Sequence, residues 1–252
     1  MIQNSKLKQE LNRLEQKEKC FLNKSIVEGN FKLKIYEKIP ENLEENLNKA
    51  FTKAFEIIFN KGTSIIEKSF DKEEIDLEYE ISKFMLDYKE NNTNIKKIDK
   101  YSKKTNLVNN LFTTSVGTGM GILGFGLPEI PLFVATILRG IYQISLSYGF
   151  DYKNKEEKIY ILRLIKIALA KTSDEKKKYN EELKNKKSYN VNLENEIKAT
   201  AKIMADALLI DKFIQGIPII GAVGGIINHS IYKKISNFCM IKYKKRYLIN
   251  KL

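Results

Sequence analysis

The chain has 252 residues and carries 44 lysines and arginines against 31 aspartates and glutamates, a net charge of +13. Its hydrophobic fraction of 43% excludes a disordered chain, and its length allows one large domain or two small ones. A single histidine excludes multi-histidine metal centres, and two distant cysteines, Cys20 and Cys239, argue against a CxxC zinc site or a disulfide framework. We therefore expect no metal and no cofactor.

The first segment predicts an amphipathic helix, because leucines and Phe21 recur at helical spacing through residues 5–28. Charged residues are interspersed there and no apolar core of a secretory signal follows, so we expect a cytoplasmic protein. We place a boundary after this segment, giving an N-terminal amphipathic part, 1–37, and a main helical domain, 38–252. Pro40 suits the first turn of the next helix.

Two further helical segments follow. Residues 40–70 form one apolar stripe from Leu43 to Phe70, with Gly62 as a candidate interruption. Residues 71–80 are acidic without the spacing of a calcium loop, which favours a solvated helix face. For that helix the sequence predicts an inner face of five apolar residues: Ile75, Ile81, Phe84, Met85 and Tyr88.

The second half of the chain alternates between apolar and charged segments. Residues 105–138 carry one charge, Glu129, and residues 213–231 carry none with His229 neutral. Between them, residues 156–171 and 191–211 predict helices, and the lysine- and glutamate-rich residues 172–190 predict a connector. A last helix follows from the spacing of Ile227, Ile231, Ile235 and Phe238.

Nine of the 13 glycines fall in the two apolar segments, within windows bounded by Gly117 and Gly126 and by Gly216 and Gly225. Glycine costs about 1 kcal/mol relative to alanine inside a helix, so this clustering indicates close backbone approach. Two pairs have the spacing that lets helices touch, Gly117 with Gly121 and Gly221 with Gly225.

Three interpretations of these windows compete. A buried helix contact within the core is favoured, because Pro128, Glu129 and Pro131 make a poor membrane span. A hairpin inserting partly into a bilayer is the second. The third is a nucleotide site, since Gly119, Gly121 and Gly124 match G-x-G-x-x-G, but no strand precedes them and no acidic residue follows at the required distance.

The residues around the windows resemble the EcsC family of bacterial proteins. The similarity rests on GxGxGxLGFGLPEIP, on LRGIYQISLSYGFD at 138–151 and on IPIIGAVGGIINHS followed by a basic helix at 217–248. Glu129 stands where aspartate is common in the family's turn. The resemblance implies a helical fold and an association with a transporter operon; it implies no catalytic mechanism.

A polar cluster is the first candidate site. Glu129 and Arg139 are the only charges between Lys104 and Asp151, and a charge in an apolar helix is costly unless it is paired. Arg139 can bond Glu129, Asp151 or a helix carboxyl end, which is the favoured interpretation, or it can bind an anionic ligand. Gly149 suits the left-handed position after a helix. The candidate ligand or structural cluster is Glu129, Arg139, Gln143, Tyr148 and Asp151.

The C-terminal segment is the second candidate site, because residues 232–252 contain seven basic residues and no acid. An apolar segment followed by a basic helix is typical of a peripheral membrane protein. Nucleic acid is a poor candidate partner, since no nucleic-acid motif accompanies the charge. The predicted anionic-surface residues are Lys233, Lys234, Lys242, Lys244, Lys245 and Arg246.

The sequence therefore predicts an all-α single domain with two apolar glycine-rich helical hairpins packed in its centre. The predicted function is non-enzymatic: peripheral association with the anionic inner membrane surface, as an accessory to transport or secretion with a membrane transporter as partner. Two alternatives remain open. One is a soluble enzyme or ligand-binding protein with a pocket around Glu129, Arg139, Tyr148 and Asp151, and the other is a pore-like or toxin-like protein that inserts its apolar hairpins.

Overall fold

The structure, a computed structural model, describes residues 5–25, 41–99, 129–184, 191–214 and 229–252. These segments contain helices and no strand, which confirms the predicted all-α class. A π-helical turn covers Ile58–Gly62. The helices are α1 Ser5–Leu22, α2 Glu41–Ile57, α3 Thr63–Glu67, α4 Lys72–Tyr88, α5 Asn92–Lys97, α6 Glu129–Ser147, α7 Lys155–Leu169, α8 Ser173–Lys184, α9 Leu193–Ile214 and α10 His229–Lys251.

Short polar residues set several helix ends. Asp71, Asn91 and Asn154 precede α4, α5 and α7, and each side chain accepts a hydrogen bond from a backbone N–H in the first turn. At the end of α6 the chain turns at Gly149, whose φ of 76° lies in the left-handed region, so the prediction for this glycine is confirmed. The backbone N–H of Phe150 donates to the carbonyl of Ser145 and completes the turn.

Two apolar helices, α6 and α7, form the centre of the fold. Helix α7 is buried from Ile159 to Leu169 and packs against α8, α9 and α10. Helix α6 packs against α2, α4 and α10, and α1 lies on α10. Inside this core Arg163 and Lys166 of α7 both pair with Glu196 of α9. The two long central helices therefore hold the outer helices, including the charged C-terminal helix, in place.

Helix α6 is long and apolar enough to cross a membrane over Ile130–Ser147, the only such helix among the described residues. In the fold, 94% of that stretch is buried against other helices. Gly140 permits this packing, since a Cβ atom at that position would lie 2.5 Å from the hydroxyl of Tyr232 on α10. The predicted contact glycines in the two windows, Gly117, Gly121, Gly221 and Gly225, lie outside the described residues, as do the glycine-rich hairpins.

The predicted inner face of α4 is confirmed for Ile75, which is buried, but wrong for Ile81, Phe84 and Tyr88. The buried residues are Ile75, Ser82 and Leu86, whereas Leu77, Ile81, Phe84 and Tyr88 are exposed, Phe84 at 71% and Tyr88 at 83%. The buried residues and the exposed apolar residues each follow helical spacing, but the two rows lie on opposite sides of the helix. Hydrophobic periodicity therefore could not decide which row faces the core.

The charged segment 172–190 was predicted as a connector, but residues 173–184 form the helix α8. Glu175 supports its first turn, because its carboxylate accepts hydrogen bonds from the backbone N–H groups of Lys171 and Thr172. Leu183 and Asn180 are buried, so even a segment with few apolar residues packs one face inward.

Candidate functional site along the C-terminal helix

Four neighbouring cations of α10, at positions 242 and 244–246, form ion pairs with carboxylates from other parts of the chain, and Lys251 near the end of the helix pairs with Asp87 of α4. The partners come from α1, from the residues after α5 and from α7. Phe21 of α1 stacks on Phe238 of α10 with ring centroids 4.7 Å apart, which fixes the two helices side by side. The C-terminal helix thus meets its acidic counterparts within the same molecule.

Lys244 is the most enclosed of these cations, with 3% of its surface exposed. Its ammonium group lies 2.8 Å from Asp99 Oδ2 and 2.7 Å from Glu10 Oε1. The other oxygen of Asp99 accepts a hydrogen bond of 3.1 Å from the Tyr148 hydroxyl. Burial alone would raise the pKa of Glu10, but hydrogen bonds from Arg13 and Lys244 outweigh it and hold that pKa below its ordinary value.

Glu18 of α1 binds two lysines of α10. Its carboxylate oxygens lie 2.8 Å from Lys242 Nζ and 2.9 Å from Lys245 Nζ. Burial opposes the charge of Glu18, yet the two lysines lower its pKa overall. For Lys242, by contrast, burial lowers the pKa more than Glu18 restores it. Asn180 of α8 also accepts a hydrogen bond from Lys242, at 2.9 Å.

Arg246 is the fourth of these cations and pairs with Glu157 in the first turn of α7. One guanidinium nitrogen lies 2.9 and 2.7 Å from the two carboxylate oxygens of Glu157. The buried hydroxyl of Tyr243 donates to the same carboxylate at 2.7 Å. Burial and the Glu157 charge raise the pKa of Tyr243 well above its ordinary value, so the phenol remains a donor.

A cavity of about 480 Å³ opens between α1, the end of α5 and α10. Lys244, Asp99 and Tyr148 form its polar floor. Cys20 and four exposed cations surround it, namely Arg13, Lys17, Lys24 and Lys96. Its volume lies within the range of about 300–1,000 Å³ that is typical of small-molecule sites. A larger open cleft of about 780 Å³ adjoins Arg246 and Glu157 on the opposite side of α10.

The predicted polar cluster divides into separate places. Arg139 is buried in α6 and donates hydrogen bonds to the hydroxyl and carbonyl of Ser69, just beyond the end of α3. Tyr148 lies nine residues further along, roughly 13 Å of helical rise, at the floor of the cavity. Asp151 is exposed, and its carboxylate accepts from the backbone N–H of Lys153.

The remaining predicted residues differ in how far their side chains are exposed. Gln143 is buried, and its Oε1 atom accepts no hydrogen bond from the described residues. The side chain of Glu129 lies outside what the structure describes. On α10, Lys233 is exposed and Lys234 is half-buried. Across the described residues, no group of three or more His, Cys, Asp and Glu side chains is placed to hold a metal ion.

Sequence reasoning missed the acidic partners, Glu10, Glu18, Asp99 and Glu157. They lie far along the chain from their cationic partners, up to 234 positions for Glu10 and Lys244. A weak signal existed, because Glu10 and Glu18 flank the buried Leu14 on one side of α1. An amphipathic helix with acids bordering its apolar row is suited to a partner helix that carries only cations.

The chain belongs to the EcsC protein family, whose sequence model matches residues 3–248. It is similar to protein EcsC of Bacillus subtilis (strain 168), with 27% identity over 126 residues, which is 48% of this chain and 50% of that protein. No solved structure matches the chain.

A second relative is the uncharacterized protein YdbA of the same organism, with 27% identity over 142 residues, 54% of this chain and 52% of that protein. The chain thus spans about half the length of each of these two relatives. The family match begins well before residue 38, and the predicted boundary between an N-terminal part and the main domain stays a prediction.

Proposed function

We propose that the protein is a non-enzymatic cytoplasmic component that associates peripherally with the anionic inner surface of the membrane, as an accessory to a transport system. One observation carries this proposal: α1 and α10, from opposite ends of the chain, pack together and concentrate the positive charge. Residues 5–25 hold six basic and three acidic side chains, and residues 229–252 hold seven basic and none. These two segments, α1 with the residues just after it and α10, thus have a net charge of +10 out of the total of +13.

Part of this charge is committed to the fold. Carboxylates bind Lys242, Lys244, Lys245 and Arg246, so these side chains hold α10 in place. Membrane contact therefore falls to the exposed cations of the pair, among them Lys19 and Lys233. Each basic residue near an anionic leaflet contributes about 1 kcal/mol, and the effect falls off within a Debye length of about 8–10 Å.

Co-sedimentation of the full chain with lipid vesicles tests the proposal. We expect binding to vesicles that contain phosphatidylglycerol, weaker binding in high salt, and none to vesicles of phosphatidylcholine alone. The double variant Lys19→Glu and Lys233→Glu should lower the affinity by about tenfold or more, because it replaces two attractive charges by repulsive ones.

The matched control is Lys68→Glu with Lys202→Glu, which makes the same charge change at exposed lysines beyond α3 and on α9. Binding that both double variants weaken equally would show an unspecific effect of net charge, and absence of binding to anionic vesicles at low salt would refute the proposal. Release of a trapped dye by the wild-type protein would instead favour a pore-like function.

A further inference from the structure

The cavity between α1 and α10 combines two kinds of lining. Its mouth carries the exposed cations Arg13, Lys17, Lys24 and Lys96. Its wall is apolar and lies deeper, since the side chains that form it are buried or half-buried: Leu14, Phe21, Met240 and Ile241. A site with a cationic mouth and an apolar wall matches an amphiphile with an anionic head.

We propose that this cavity binds an anionic phospholipid, with the phosphate at the lysines of the mouth and the first part of an acyl chain along the apolar wall. The inference rests on the proposed membrane association and names the ligand that the protein would take from the membrane surface. It also gives a role to Tyr148, because this side chain forms part of the cavity floor.

The charge of the mouth is available to a ligand. Among the described residues, no carboxylate forms an ion pair with Lys17, Lys24 or Lys96, whereas Glu10 holds Arg13 at 2.6 Å. Asp99 is the only carboxylate among the described residues that line the cavity, and Lys244 and Tyr148 already bind it. The mouth therefore carries three lysines that no carboxylate of the described residues neutralises.

A further cation, buried behind the apolar wall, strengthens the positive electrostatic potential at the mouth of the cavity. Lys176 of α8 is buried, and its ammonium group lies 4.9 Å from the centre of the Phe21 ring and donates to the backbone carbonyl of Lys24 at 2.6 Å. Within a protein the screening between such charges is weaker than in bulk water. Lys176 thus favours an anion beside Lys24.

The apolar wall distinguishes a lipid from a free phosphate ion. Inorganic phosphate would use only the ammonium groups and would leave Leu14, Phe21 and Met240 without a ligand contact. An acyl chain gains about 0.8 kcal/mol for each methylene group that it buries, which corresponds to about fourfold in affinity. A lipid with the same headgroup charge should therefore bind much more tightly than the ion.

Cys20 provides a reporter, because it is exposed and lines the cavity. Cys239 is fully buried, and burial raises the pKa of its thiol, so an uncharged maleimide alkylates Cys20 selectively in the folded wild-type protein. We expect monomeric dihexanoyl phosphatidic acid to slow this alkylation by roughly tenfold at ten times its Kd. Dihexanoyl phosphatidylcholine, glycerol 3-phosphate and inorganic phosphate, each at that same concentration, should slow it far less.

Matched variants locate the effect. Lys17→Gln, Lys24→Gln and Lys96→Gln together should raise the Kd for phosphatidic acid, measured from the protection of Cys20, about a hundredfold, at about fivefold for each lysine. Lys68→Gln with Lys202→Gln and Lys155→Gln should leave it unchanged. Equal protection by phosphatidylcholine, or by inorganic phosphate, would overturn the proposal, and so would the same response in both triple variants.

The vesicle and thiol experiments fail independently. Wild-type protein that sediments with anionic vesicles while phosphatidic acid leaves Cys20 fully reactive would refute the cavity site and leave the membrane association standing. Protection of Cys20 without binding to vesicles would refute the membrane association and leave the lipid site.

Discussion

Two groups of lysines in this fold have opposite surroundings. Lys242 and Lys244 of α10 are buried and bound by carboxylates, whereas Lys17, Lys24 and Lys96 around the cavity are exposed. In the first group, fixed carboxylates take the place of water around the ammonium groups. In the second group, the ammonium groups face solvent. The same residue type thus holds two helices together in one place and remains available to a partner in the other.

The largest effect that this comparison predicts is in the first group. Lys244→Met removes the cation between Asp99 and Glu10 and leaves two partly enclosed carboxylates facing each other. Breaking one partner of a buried ion pair typically costs about 3–5 kcal/mol, so we expect the free energy of unfolding to fall by about that amount. Urea denaturation followed by circular dichroism measures it.

Lys251→Met is the control for this variant, because Lys251 pairs with Asp87 near the end of the same helix in a more exposed position. An exposed pair is worth about 0–1 kcal/mol. If the two variants lose similar stability, the burial of Lys244 does not distinguish it from a surface lysine.

Glu157→Gln should have the second largest effect. The amide leaves Arg246 without its charged partner and retains one oxygen for the Tyr243 hydroxyl. Hydrogen bonds to charged groups contribute about 1.5–3 kcal/mol, and Arg246 is partly exposed, so we expect a loss of about 2 kcal/mol. Glu156→Gln, at the exposed neighbouring position, should change the midpoint of urea unfolding little, and an equal loss there would contradict the assignment.

Lys176 shares one property with each group: it is buried like the first, but no carboxylate among the described residues neutralises it, and the charged groups that shift its pKa are the cations Lys234 and Lys24. Burial, together with Lys234 and Lys24, lowers its pKa to about 8. The unfolded chain holds this proton more strongly than the folded one, so between about pH 8 and 10.5 the Lys176 contribution makes the fold more stable as pH rises.

Comparison with Lys176→Met isolates this contribution. The difference in unfolding free energy, wild type minus variant, should rise by about 1 kcal/mol from pH 7 to pH 9, after allowance for partial solvent screening. Urea unfolding at the two pH values provides the measurement. A difference that stays constant would show that Lys176 keeps its ordinary pKa.

The sequence predicted the features that depend on short-range interactions along the chain. Helical spacing identified α1, α7, α9 and α10 to within a few residues, and Gly149 identified the turn after α6. The prediction from sequence failed where two rows of residues on one helix have the same helical spacing, as on α4. It also failed where the deciding contact lies far along the chain. Lys244 meets Asp99 across 145 positions, and nothing in the acid-free C-terminal segment indicates that its charges would be neutralised inside the fold.

The smallest expected change in stability belongs to the second group of lysines. Substitution of Lys17, Lys24 and Lys96 by glutamine should shift the free energy of unfolding by less than about 0.5 kcal/mol, because exposed side chains without ion pairs contribute little. The sign should be stabilising, since loss of the Lys24 charge relieves its repulsion with Lys176. Urea unfolding at low and high salt measures the size and the sign of this change. Salt should reduce a gain in stability that comes from relieved charge repulsion. A loss of about 2 kcal/mol would instead show that these lysines hold the fold as the buried ones do. Charges that cluster without benefit to stability are what a binding surface requires, because binding sites commonly trade stability for function.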